Sequence, residues 1–123
     1  MMPGKILIVE DDIFLVELYR MVLEHAGFEI VGSATNGAIA IDWIEKSHEK
    51  PDIVLMDYRM PVKNGLETAR EIRAKKVGSR IILATADPSI VGKVNPDDVD
   101  IVMEKPFPMD ELITVAKRML AKE

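Results

Sequence analysis

Short apolar runs alternate with stretches of helical periodicity along this chain, and no other feature restricts its fold as much. Lys5-Ile6-Leu7-Ile8-Val9 is the first run. Leu15, Leu18, Tyr19, Val22, Leu23 and Ala26 then recur at helical spacing, and Gly27 stops that helix. Phe28 to Ala34 reads as a second strand. Asn36 is placed to cap a helix that runs through Trp43 and Ile44 to about Ser47. Asp52 to Met56 is a third strand. Gly65 to Lys75 is a helix with Leu66, Ala69 and Ile72 on one face. Arg80 to Ala84 is a fourth strand, and Asp100 to Met103 a fifth. The last helix spans Pro108 to Ala121, with Leu112, Ile113, Ala116, Met119 and Leu120 expected to face inward. Lys117 to Glu123 reads as its solvated, charged face. Between the fourth and fifth strands, Pro88, Gly92 and Pro96 leave room only for a short or irregular helix, from Ser89 to about Val94.

Five strands alternating with about five helices predict an α/β fold: a doubly wound parallel sheet covered on both faces. The first, third and fourth strands are nearly all apolar, as strands buried on both sides should be. A chain of 123 residues suffices for one domain, 1–123 with a core of 5–122, and too few remain for an output domain. The absence of cysteine excludes disulfides and thiolate metal sites. His25 and His48 stand far from other candidate ligands, so zinc is not expected. The net charge is -5 and no basic cluster is longer than Lys75-Lys76, which argues against a nucleic-acid surface. No signal peptide or membrane span is legible, and the expected location is the cytoplasm.

In an open parallel sheet, ligands bind beyond the carboxyl ends of the strands. The first strand ends in Glu10-Asp11-Asp12, the third in Asp57, the fourth in Thr85 and the fifth in Glu104-Lys105. With strand order 2-1-3-4-5, Glu10, Asp11 and Asp57 converge. Like charges this close repel unless a cation joins them, and a lysine or a divalent ion can supply it. Carboxylate oxygens, a backbone carbonyl and water are the ligand set of Mg²⁺, and Mn²⁺ fits the same donors. Asp12 has a plainer role as a helix N-cap. A hydroxyl at Thr85 and an ammonium at Lys105 suit phosphoryl oxygens, because phosphoryl transfer needs positioning and charge neutralisation. Taken singly, Thr85 can be a turn cap and Lys105 a surface lysine.

These pieces carry a resemblance. Ile6 to Asp12, Asp57-Tyr58-Arg59-Met60-Pro61 with Gly65 following, Ala84-Thr85-Ala86 and Lys105-Pro106-Phe107 stand in the order and near the spacing of a response-regulator receiver domain. The chain resembles that family from Lys5 to about Lys122. The resemblance implies a flavodoxin-like fold and a role in two-component signalling. Asp57 would accept a phosphoryl group from a sensor histidine kinase or phosphotransfer protein. Glu10, Asp11, Asp57 and the backbone carbonyl of Arg59 would hold Mg²⁺. Thr85 and Lys105 would bind the phosphoryl oxygens, assisted by the Ala86 amide, and the Lys105–Pro106 peptide would be cis. The resemblance makes the chain a switch acting through protein contacts, with no DNA or membrane contact, and not an enzyme beyond self-catalysed transfer and slow autodephosphorylation.

Two positions depart from the family pattern. Val102 stands where an aromatic switch residue is usual, and the Thr85 to Lys105 segment is about two residues short. A receiver-like interaction module with impaired switching is therefore the alternative reading. Arg59 and Asp87, each two residues past a site residue, are expected to pair across the mouth and hinder water. An aspartyl phosphatase would need an acid where Arg59 stands. A flavodoxin would need a phosphate loop where Glu10-Asp11-Asp12 stands.

Overall fold

The structure is a computed structural model that describes residues 3–121. Met1, Met2, Lys122 and Glu123 lie outside the described residues, and with them the end of the expected charged face. The elements run β1 (Lys5–Val9), α1 (Ile13–His25), β2 (Glu29–Ala34), α2 (Gly37–Lys46), β3 (Ile53–Asp57), α3 (Gly65–Ala74), β4 (Arg80–Thr85), α4 (Pro88–Val91), β5 (Ile101–Glu104) and α5 (Met109–Ala121). All strands pair in parallel in the order β2-β1-β3-β4-β5, as expected.

Strand alternation divides the core in two. Ile6, Ile8, Ile53, Leu55 and Ile82 face Val16, Tyr19 and Leu23 of α1 and Leu112, Val115, Ala116 and Met119 of α5. Leu7, Val9, Val54, Met56, Ile81 and Leu83 face Ala40, Ile41 and Ile44 of α2, and Ala69 and Ile72 of α3. Each buried aliphatic side chain stabilises by roughly 1.5–3 kcal/mol, so the sheet is fastened from both sides. The close approach of α2 to α3 depends on Gly37, where a Cβ would lie 1.9 Å from the Thr68 hydroxyl oxygen.

Several expected boundaries shift, for identifiable reasons. Asp57, Thr85 and Glu104 belong to their strands, since Asp57 pairs with Ala84 and Thr85 with Glu104 in the ladder. Backbone pairing does not depend on side-chain polarity. At the opposite edge, Asp52 and Asp100 fall outside β3 and β5. Their carboxylates accept the backbone N–H of Lys5 and Ile81, both at 2.7–2.8 Å. Phe28 precedes β2 and is buried against the α1–α5 side of the core.

The inward stripe of α5 is Leu112, Val115, Ala116 and Met119. Leu120, expected inside, is 41% exposed, and Ile113 is only half-buried. Leu18 of α1 likewise turns outward. The fourth helix is short, as expected, but it begins at Pro88 and ends at Val91. Asp87 caps it by accepting the Ser89 N–H at 2.9 Å. Gly92 follows, and Asn95 starts a separate turn by accepting the Asp97 N–H.

Candidate functional site

The carboxyl ends of β1, β3, β4 and β5 meet at one edge of the sheet. Glu10 follows β1, and its backbone N–H donates to Ala34 at 2.9 Å, which holds it between β2 and β3. Its side chain is almost fully buried. Asp57 is the last residue of β3 and is half-buried, while Asp11 is exposed. Carboxylate oxygens of Glu10, Asp11 and Asp57 all lie within 4.8 Å of one another. Asp12 takes the plainer role, capping α1 by accepting the N–H groups of Phe14 at 3.0 Å and Leu15 at 3.4 Å.

Lys105 reaches this cluster from the residue after β5. Its Nζ lies 2.9 Å from Asp57 Oδ1 and 3.4 Å from Glu10 Oε1. The Thr85 carbonyl holds the Lys105 backbone N–H at 2.7 Å, and the Lys105–Pro106 peptide is cis, as the resemblance implies. Burial lowers the Lys105 pKa, but the hydrogen bond and charge of Asp57, with Glu10, outweigh it and leave the pKa raised. Three carboxylates then face one ammonium. The surplus negative charge, carried by hard oxygen donors, suits a divalent cation such as Mg²⁺.

Burial, with the charge of Asp57 beside it, raises the Glu10 pKa. The Asp12 amide and Lys105 oppose that shift without cancelling it. A raised carboxyl pKa contributes stability below the unfolded value and loses it as pH rises through the folded value. In metal-free protein, the Glu10 contribution to stability is therefore expected to fall as pH rises from about 4.5, the ordinary glutamate value. Glu10→Gln removes that component. Chemical denaturation between pH 5 and 7 checks this: a slope unchanged by the substitution contradicts the assignment.

Asp57, Arg59, Thr85, Ala86, Asp87, Pro88 and Lys105 line a cleft of about 590 Å³ above the cluster. The Thr85 hydroxyl is buried and accepts the Asp87 N–H at 3.0 Å, so its proton is free to turn toward the cleft. Arg59 and Asp87 approach to 4.0 Å across the mouth, with Arg59 84% exposed. The Asp87 pKa is lowered, first by the Ser89 hydroxyl, then by the Ser89 amide, with Arg59 contributing less. Val102 of β5 pairs with Leu83 of β4 and is half-buried.

Two contributors were not singled out from the sequence as site residues. Gly65 donates its N–H to the Tyr58 carbonyl at 2.7 Å, and a Cβ there would lie 2.6 Å from the Asp57 carbonyl oxygen. Tyr19, assigned to the core by its spacing, also lines a small cavity with Lys105, Phe107 and Met109. Its ring is parallel to that of Phe107, with centroids 6.4 Å apart. No local pattern in the sequence signals either proximity.

The model of the response regulator receiver domain matches residues 6–117. The transcriptional regulatory protein PdtaR of Mycobacterium tuberculosis is 32% identical over 90% of this chain. The chain spans only 54% of that relative's length. The chemotaxis protein CheY of Bacillus subtilis is 30% identical over 97% of this chain and 99% of its own. Among solved structures, response regulator TrrA of Thermotoga maritima, in complex with Mg(2+)-BeF, is 35% identical with a TM-score of 0.85. The match covers 95% of this chain and 99% of that one. With the ordered sheet and the cluster at its edge, these matches show that the chain belongs to the response regulator receiver domain family of two-component signalling.

Proposed function

We propose that Asp57 accepts a phosphoryl group from the phosphohistidine of a sensor histidine kinase or phosphotransfer protein, and that the acyl phosphate is the signal. The observation that carries this reading is the Asp57 carboxylate held 2.9 Å from the Lys105 ammonium, beside the oxygens of Glu10 and Asp11. Glu10, Asp11, Asp57 and the Arg59 carbonyl would hold Mg²⁺, which supplies charge neutralisation for the incoming phosphoryl group. The magnesium in the TrrA structure supports that assignment.

The remaining work falls to side chains. Asp57 supplies the attacking oxygen, in line with the bond to the departing imidazole nitrogen. Lys105 shifts from the carboxylate to a phosphoryl oxygen. The Thr85 hydroxyl and Ala86 N–H donate to the others. The chain thus catalyses its own modification as a signalling module and passes the signal through protein contacts. Residues 1–123 act as one receiver unit in the cytoplasm, without nucleic-acid contact. The full set of Asp57, Asp11, Thr85 and Lys105 speaks against a module that has lost phosphorylation.

The test is intact mass after incubation with Mg²⁺ and acetyl phosphate. One phosphate adduct is expected, absent in Asp57→Asn and without Mg²⁺. An adduct that persists in Asp57→Asn refutes the assignment.

Arg59 and Asp87 would close over the phosphoryl group and hinder attacking water. An exposed pair contributes little stability, so its effect is on access. The Arg59→Ala/Asp87→Ala variant is expected to lose its phosphate several-fold faster. Equal lifetimes of the two acyl phosphates would remove the pair from the mechanism.

A further inference from the structure

Lys105 stands at the start of a short turn, Lys105 to Pro108, between β5 and α5. Among the described residues, the backbone hydrogen bonds that hold this turn lie at its two ends. The Lys105 N–H donates to the Thr85 carbonyl at 2.7 Å, and the Pro108 carbonyl accepts from Glu111 and Leu112. Pro106 and Pro108 have no N–H to give. The ammonium itself sits on a long, flexible stem, whose freedom must be lost before it can hold a fixed place.

The middle of the turn is held by a side chain instead. Phe107 is half-buried, and its ring stacks on that of Tyr19 with an interplanar angle of 5° and centroids 6.4 Å apart. Tyr19 is a firm support. Its side chain is 2% exposed and belongs to the core between α1, α5 and the sheet. Long side chains on a helix lean back toward its N-terminus, and α1 begins just after Glu10-Asp11-Asp12. The Tyr19 pKa is raised, first by burial and then by the charges of Glu10, Asp57 and Asp12, which sets its hydroxyl within electrostatic reach of the acidic cluster. Tyr19 and Lys105 also line one cavity of about 220 Å³, with Phe107 between them in the same wall.

The structure assigns Tyr19 as a positioning residue for Lys105: its buried ring is the fixed face on which Phe107 sets the turn, and the turn delivers the ammonium to Asp57. The ring, and not the hydroxyl, is the working part. A ring that only filled the core would have no tie to the chemistry. This one stacks two residues from the ammonium-bearing residue, on a turn that lacks backbone anchors at its centre. The inference deepens the phosphoacceptor reading, on which its kinetic consequence rests.

The test is a double-mutant cycle between Tyr19→Leu and Lys105→Met, read by phosphate incorporation from acetyl phosphate and by Mg²⁺ titration calorimetry. Tyr19→Leu is expected to slow incorporation by about tenfold, because the ammonium is misplaced. It should also bind Mg²⁺ a few-fold tighter, because the carboxylates are less well neutralised. In the Lys105→Met background the same substitution should change either quantity by less than about twofold, since no ammonium remains to position. Tyr19→Phe, which keeps the ring, should restore wild-type behaviour. Should Tyr19→Leu lose its native circular dichroism, Phe107→Leu, at a half-buried position, carries the same cycle. Equal effects of Tyr19→Leu with and without Lys105 overturn the proposal, as does a Tyr19→Phe variant as slow as Tyr19→Leu. If the wild-type chain takes up no phosphate, the phosphoacceptor reading fails alone and the Mg²⁺ cycle still decides. Tighter binding that depends on Lys105 supports the positioning role, and an unchanged affinity overturns it.

Discussion

Gly65→Ala is expected to lower stability by roughly 2–3 kcal/mol and to slow phosphate incorporation at Asp57 by at least about tenfold, the effect of about 1.4 kcal/mol on a barrier. The new Cβ would stand 2.6 Å from the Asp57 carbonyl oxygen, 2.6 Å from Leu83 Cδ1 and 2.9 Å from Tyr58 Cα. The leucine can turn away. The backbone of Asp57 and Tyr58 cannot, because Asp57 is in register with Ala84 and the Tyr58 N–H donates to the Ala84 carbonyl at 2.8 Å. The clash is therefore relieved by moving the end of β3, and the Asp57 carboxylate moves with it. Gly92→Ala is the matched control. A Cβ at Gly92 meets nothing within 4 Å, so that variant should keep both stability and incorporation. Denaturant unfolding and intact-mass time courses decide the matter, and equal incorporation by the two variants would refute the steric account.

Lys105→Met is expected to separate metal binding from phosphate acceptance. The thioether keeps most of the side-chain bulk and loses the ammonium that sits 2.9 Å from Asp57 and 3.4 Å from Glu10. Three carboxylates within 4.8 Å then have no cation among them. At an effective dielectric near 20, each such repulsion is on the order of a few kcal/mol, so metal-free stability should fall by about 2 kcal/mol. Mg²⁺ relieves more repulsion than before and should bind roughly tenfold tighter. Incorporation should nevertheless fall on the order of 10²-fold, because a preorganised cation at the developing phosphoryl charge is gone. Titration calorimetry and phosphorylation kinetics measure the two effects. Metal binding and incorporation that fall together would mean that Lys105 only organises the site.

Most of the sheet was legible because its signal is local. Ile6 to Val9, Ile53 to Met56 and Ile81 to Ala84 are continuous apolar runs, as strands buried on both faces require. The site was legible for a related reason: polar residues stand where each run stops, and parallel topology gathers those ends. Less legible was everything set by the third dimension. Leu120 and Leu18 are apolar at helical spacing, yet the quarter-turn offset between 115–116 and 120 decides which side meets the core. The strand status of Asp57 and Thr85 rests on partners some 20 to 30 residues away, which no window of sequence contains. The clearance at Gly65 depends on a carbonyl eight residues upstream, brought back by a loop.

The single turn of α4 has a mechanical consequence. Four residues span about 6 Å of helix, too short a lever to carry a rotation from one end to the other. A displacement begun at Thr85 would pass instead into the loop that follows α4. That loop is not loose: Arg70 pairs with the Asp98 carboxylate at 3.1 Å, and Arg73 holds the Asp98 carbonyl at 3.2 Å while pairing with Asp100. Both guanidinium groups project from α3, whose first residue is Gly65. The loop and α3 are thus strapped together, and strain entering at β4 would be shared with the helix that begins directly behind Asp57.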